Sequence, residues 1–186
     1  HEVLMPSFNY ISNANAVSNC GAIPHFVDCE EESLGICPKK LEEYLSKNSI
    51  KIGNNFINKK TKRIIKAIVL VYIFGHPPKI DELVNVAKKF KLIILEDAAE
   101  ALGSYYKGKH AGTFGAIGTL SFNGNKIITT GGGGAVLTNS KKIANKVKKL
   151  SSNGRKFHRW KFVFDMKGYN YRLPSLNSAI GISQLK

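Results

Sequence analysis

Lys126 sits in the stretch SFNGNKIITTGGGG, residues 121–134, among small and polar residues that end in four consecutive glycines. Most other lysines fall in charged clusters such as KKTKR, VAKKFK and KKIANKVKK. A lysine becomes a nucleophile once it sheds its proton, which desolvation or a nearby cation encourages, and only where a carbonyl carbon can reach it. A loop between two apolar segments meets the second demand. Residues 131–134 tolerate positive φ and close backbone approach, so they can shape a tight turn beside a ligand. The same run also suits a plain flexible turn, and it lacks the phosphate-loop spacing of nucleoside triphosphatases. A second group is Glu96-Asp97, at the end of LIILED, where an apolar run gives way to small residues. Asp97 reads either as a cap for the segment that follows or as a buried carboxylate facing a ligand cation. The hydroxyl of Ser121, at the end of IGTLSF, and Lys126 beyond it favour the second reading. Carboxylate, hydroxyl and amine then converge on one edge of one sheet.

The elements that must position these groups follow from periodicity. Apolar runs bounded by turn residues recur as strand candidates: EVLMP near Glu2, HFVD at His25, RIIKAIVLVYI from Arg63, LIILED from Leu92, IGTLSF from Ile117 and GAVLTN from Gly134. Several are apolar on both faces, as in a sheet covered on both sides. Helical patterns lie between them. SNANAVSNCG stops at Gly21, KIDELVNVAKKFK carries Ile80, Leu83, Val84, Ala87 and Phe90 on one face, and SKKIANKVKKLSSNG runs from a Ser140 N-cap to Gly154. Residues 50–63, IKIGNNFINKKTKR, read as an exposed loop. The alternation predicts one α/β domain, a mainly parallel sheet with helices on both faces and ligand sites at the carboxyl ends of its strands.

Composition narrows the classes. The chain has 186 residues, 43% of them hydrophobic, which suits one well-buried domain. No apolar run approaches the ~18 residues that cross a bilayer, so a membrane protein is not expected. Cys20, Cys29 and Cys37, nine and eight residues apart without paired histidines, suggest reduced thiols in a cytoplasmic protein and no metal site. The net charge of +15 raises nucleic-acid or other polyanion binding. The lysine runs read instead as solvated surface, because no recognition motif accompanies them.

Three ordered segments carry a resemblance. EDAAEALGSYYKGKHAGTFG, SFNGNKIITTGGGGAVLTN and GYNYRLPSLNSAIGISQL resemble, in order and spacing, signature segments of the DegT/DnrJ/EryC1/StrS sugar aminotransferases, and HEVLMPSFNYISNANAVSNCGAIPHFVD resembles the family's early strand-helix-strand unit. Within the family, FGHPPKIDEL, EDAAEALGS, SFNGNK and HRWKFVFDMKGYNYRLP are most similar to the branch that makes 4-amino sugars for legionaminic-acid-type nonulosonates. The resemblance implies the large domain of a fold type I, aspartate aminotransferase-like transferase that uses pyridoxal 5'-phosphate (PLP). Members are roughly twice this length, so the chain is expected to be the central part of that domain, without its N-terminal segment and C-terminal small domain.

The implied roles go residue by residue. Lys126 matches the Schiff-base lysine that holds PLP and moves a proton between substrate and cofactor. Asp97 matches the carboxylate that pairs with the pyridine nitrogen, and Ser121 the hydroxyl that binds the phosphate. Tyr10 falls where an aromatic ring stacks on the cofactor, and equally suits core packing. Glu100 stands where many relatives have Gln or His near the ring hydroxyl. Asn170, in GYNYR, matches the asparagine that reaches the phosphate of the other subunit, which implies a homodimer with shared active sites. Tyr171, Arg172, His158 and Arg159 are candidate contacts to a nucleotide-linked sugar; surface turns and local packing around Trp160 are the rival readings. The implied reaction moves an amino group, from glutamate, to C4 of a nucleotide-linked keto-deoxysugar in cell-surface polysaccharide or nonulosonate biosynthesis. A basic polyanion-binding domain, or a fragment that folds without holding PLP, are the alternatives.

Overall fold

The computed structural model describes residues 1–156 and 158–185. In chain order the elements are β1 (Glu2–Pro6), α1 (Ser12–Asn19), β2 (Ile23–Val27), α2 (Pro38–Asn48), β3 (Ser49–Ile52), β4 (Asn55–Asn58) and β5 (Ile64–Val71). A 3₁₀ turn (Ile73–Gly75) leads to α3 (Ile80–Lys89) and β6 (Ile93–Asp97). There follow β7 (Tyr105–Tyr106), β8 (Lys109–His110), β9 (Ile117–Ser121), β10 (Gly134–Leu137), α4 (Lys141–Leu150) and α5 (Ser175–Ser183). Among the described residues, no helix is long and apolar enough to cross a membrane.

The main sheet runs β10-β9-β6-β5-β1-β2. Every neighbouring pair from β9 to β2 is parallel, and β10 closes the edge antiparallel to β9. All five parallel strands therefore end on one side, at Pro6, Val27, Val71, Asp97 and Ser121. β5 is central because its IIKAIVLV run can be buried on both faces. Alternation sorts its side chains: Ile68 and Leu70 join Leu4, Leu41, Leu45 and Leu83 under α2 and α3, while Ala67, Val69 and Val71 pack with Val3, Met5 and Ala14 under α1. Truncating a fully buried leucine such as Leu83 to alanine costs about 2–5 kcal/mol. Helix ends follow local chemistry. Pro38 opens α2, Asp81 and Glu82 face the positive end of α3 with Lys88 and Lys89 at the other, and the Ser140 hydroxyl accepts the Ile143 N–H at 3.3 Å.

The segment 50–63, expected to be a loop, is corrected by the structure. It contributes a hairpin, β3 with β4, that turns at Gly53 with φ +57° and joins the start of β5 through Phe56 and Ile57. Ile50 and Ile52 are half exposed, so the segment lacks the apolar density that marks the other strands. Its pairing comes from the free edge beside Ile64 and Ile65, which β6 leaves open.

At the opposite end of the sheet from its carboxyl edge, Glu2 is 2% exposed. Its carboxylate accepts hydrogen bonds from Asn58 Nδ2 at 3.0 Å, His25 Nδ1 at 2.8 Å and the Thr61 hydroxyl. Burial pushes this carboxyl up, and the bonds from Thr61, Asn58 and His25 outweigh burial, leaving it below the ordinary value. A carboxyl lowered by folding stabilises the fold above its unfolded pKa, and the gain disappears as pH falls through the folded one. Glu2→Gln is therefore expected to lower stability by about 1–3 kcal/mol at neutral pH. The gap to wild type should close below about pH 4. Urea unfolding at a series of pH values measures it, and a pH-independent gap would show that Glu2 folds uncharged.

Candidate active site

The carboxyl edge gathers side chains from three strand ends. Asp97 closes β6 and shares the α1 face with Thr119 of β9 and Val71 of β5. Its Oδ2 accepts from Asn13 Nδ2 at 2.7 Å and its Oδ1 from the Ala99 N–H at 3.1 Å. The capping role expected of Asp97 thus occupies one oxygen, and α1 fixes the other. Asn13 was not legible as a site residue. It lies 84 positions from Asp97, and the only local sign is a polar residue on the inner side of a helix of small residues.

Glu96, one residue earlier, points to the opposite face and is 2% exposed. It accepts from the Gly112 N–H at 2.9 Å, from the Gly115 N–H and from the Tyr72 hydroxyl. Burial and then this carboxylate push the Tyr72 hydroxyl far up, so it stays a donor. Glu96 therefore pins the segment that feeds β9. Gly118 must be glycine for that approach, because a Cβ there would lie 1.9 Å from the Gly112 carbonyl oxygen.

Ser121 ends β9, its Oγ accepting the Asn123 N–H at 3.3 Å. The loop that follows is closed at its neck by Phe122 N–H to Gly133 O (2.9 Å) and Thr130 N–H to Phe122 O (3.0 Å). Gly133 sits at φ +116°, a conformation closed to other residues. Within this loop Lys126 donates its N–H to Asn123 O at 3.1 Å, and its side chain is 16% exposed. Nζ lies 3.3 Å from Glu100 Oε1, and Glu100 Oε2 accepts the Phe74 N–H at 3.1 Å. Tyr10 stands at the entry of α1, its carbonyl accepting the Asn13 N–H at 3.2 Å and the residue 76% exposed. Amine, two carboxylates and hydroxyl thus lie along one sheet edge, Asp97 and Glu100 at the turn after β6, Ser121 and Lys126 at the end of β9 and in the loop after it.

The remaining candidates lie between α4 and α5. Asn170 pairs with Ser152, and the Tyr171 N–H reaches Ser151 O at 2.9 Å. The rings of Tyr169 and Tyr171 stack at 5.0 Å. Tyr171 and Arg172 line an open cleft with the glycine run and Asn177. His158 Nδ1 accepts from the Trp160 and Lys161 N–H groups, and Arg159 lies 4.9 Å over the Trp160 ring. Among the described residues, no hydrogen bond or ion pair joins these five side chains to Asp97, Glu100, Ser121 or Lys126. α5 braces the glycine run instead, through Asn177 Nδ2 to Thr130 O and Gln184 Nε2 to Thr129 O, both 2.6 Å.

The family model for DegT/DnrJ/EryC1/StrS aminotransferases matches residues 1–186. The chain belongs to that family. Curated relatives of this DegT/DnrJ/EryC1/StrS chain include the GDP-perosamine synthase of Escherichia coli O157:H7, 42% identical over 100% of the chain and 46% of the relative. The UDP-4-amino-4,6-dideoxy-N-acetyl-beta-L-altrosamine transaminase of Campylobacter jejuni subsp. jejuni serotype O:23/36 (strain 81-176) is 39% identical over 99% and 46%. Among solved structures, Helicobacter pylori PseC, an aminotransferase involved in the biosynthesis of pseudoaminic acid, superposes with a TM-score of 0.84 at 30% identity, over 99% of this chain and 45% of PseC. The chain spans about half the length of the curated relatives it matches. DegT/DnrJ/EryC1/StrS aminotransferases are PLP-dependent, and the fold here is that of fold type I transferases.

Proposed function

We propose that these residues form the central part of the cofactor-binding domain of a PLP-dependent aminotransferase. The complete protein would act in the cytoplasm as a homodimer and move an amino group from glutamate to C4 of a nucleotide-linked keto-deoxysugar. The observation that carries this is Lys126, a largely covered amine in a loop held at both ends, on the same sheet edge as an Asp97 carboxylate oriented from two sides. The donor set fits the cofactor: an amine for its aldehyde, a carboxylate for its ring nitrogen and a hydroxyl for its phosphate. When bound, PLP supplies an electron sink next to the reacting carbon.

The chain's own groups then have distinct tasks. Asp97 holds a proton at the ring nitrogen, and Asn13 and the Ala99 N–H keep it aimed. Ser121 Oγ, an acceptor toward Asn123, has its own proton left to donate to the phosphate. Lys126 would hold the cofactor through Nζ and, once released, would carry a proton at that nitrogen. Tyr10 would cover the ring face. Asn170, apart from this edge in its own chain, serves the partner's phosphate, with Tyr171, Arg172, His158 and Arg159 beside the sugar nucleotide.

Borohydride reduction of the complete protein with PLP, followed by peptide mapping, tests the assignment; a pyridoxyl label on a lysine other than Lys126 overturns it. Assay on UDP-, GDP- and dTDP-linked keto-sugars tests the substrate class. Inactivity on all of them with PLP bound would sink the sugar reading.

Assembly has its own test. Lys126→Ala subunits mixed with Asn170→Ala subunits under exchange should regain activity. In a mixed dimer of shared sites both lesions fall on one site and leave the other intact. Heterodimers, verified by mass, that are no more active than their parents would place Asn170 in its own subunit's site.

A further inference from the structure

Glu100 is the carboxylate that Lys126 meets among the described residues, at 3.3 Å. An isolated surface pair of this kind holds little, because two long side chains must be ordered to form it. Here one partner is already ordered. Glu100 Oε2 is engaged by the Phe74 N–H, and Phe74 is held at φ +51°, a conformation that disfavours residues other than glycine. The neighbouring Gly75 packs so closely that a Cβ would lie 2.7 Å from the Glu100 carbonyl oxygen. The turns after β5 and β6 and the loop after β9 therefore converge on a single carboxyl group. Lys126, 16% exposed against 43% for Glu100, is the more covered member.

Resting on the reading of Lys126 as the cofactor-bearing amine, the geometry points to Glu100 as its resident counter-ion. In the cofactor-free protein Glu100 holds the lysine as an ammonium in a fixed place. The Phe74 N–H keeps the carboxyl from swinging away, so the ammonium is held at one point of the sheet edge. Glu100 acts through Lys126 and is a positioning residue.

The test uses the complete protein freed of cofactor. Brief acetic anhydride labelling with mass mapping compares Lys126 with the exposed Lys51 of β3 as internal reference. Glu100→Gln keeps an acceptor for the Phe74 N–H and removes the charge, whereas Glu100→Ala removes both. The Lys126 to Lys51 labelling ratio is expected to rise roughly two- to fivefold in both variants, the range a partly exposed ion pair supports. If only Glu100→Ala changes it, Glu100 merely braces Phe74 and the counter-ion role is overturned; no change in either variant overturns it as well. Should the variants fail to fold, wild type decides, because the ratio should rise with added salt as the pair is screened. A salt-independent ratio refutes the proposal. Borohydride mapping on the same samples reports separately on the cofactor-bearing lysine, so the two readings can fail independently.

Discussion

Replacing Lys126 with alanine is expected to abolish transamination by the complete protein, by at least about a thousandfold, while leaving it folded. The two halves of this expectation have different origins. The loop that carries Lys126 is closed by backbone bonds at Phe122, Thr130 and Gly133, none of which uses the lysine side chain. What the side chain contributes to the fold is its pair with Glu100, worth less than about 1 kcal/mol at a partly exposed position. Chemistry loses much more. Lys126 Nζ is the amine held at Glu100 on this edge, so its removal takes away the proposed nucleophile. Steady-state assay on a keto-sugar substrate, with urea unfolding as control, measures both. A variant that retains a tenth of wild-type activity would remove Lys126 from the reaction.

Asp97→Asn is the second large effect, a loss of about a hundredfold or more in rate with PLP still bound, as for other losses of an oriented electrostatic group. The amide is nearly the size of the carboxylate. Asp97 now accepts from both Asn13 and the Ala99 N–H, whereas asparagine has a single acceptor oxygen. The Ala99 bond can keep that oxygen, and Asn13 can turn its own amide to accept from the new NH₂. The fold is thus preserved while the charge proposed to hold a proton on the ring nitrogen is gone. Visible absorption of bound cofactor and the rate, measured on one preparation, separate the two. An unchanged rate would leave Asp97 as a cap for Ala99 and nothing more.

Much of the layout was legible before any contact was known. The runs that form β1, β2, β5, β6, β9 and β10 are readable as apolar segments bounded by turn residues, although only β1 and β5 are buried along most of their length. Lys126, Asp97 and Ser121 stood out as polar residues where such runs end. The period of two along LIILED also separates Glu96 from Asp97 by face. It does not say which face meets the site. That depended on packing: α2 and α3 took one side and left Glu96 to pin residues 112 and 115, while α1 took the other and brought Asn13 to Asp97. β3 and β4 escaped notice because their pairing exists only against the open edge of β5. α2 and α5 went unread, and with them the brace behind the glycine run. The Lys126–Glu100–Phe74 junction is of the same kind, joining residues 26 positions apart on either side of Glu100. Sequence determines what each segment must bury and which groups it can offer, since those are properties of single residues and their spacing. Which groups meet is decided when the sheet closes, because a contact between distant residues is fixed by strand order and register that no local segment contains.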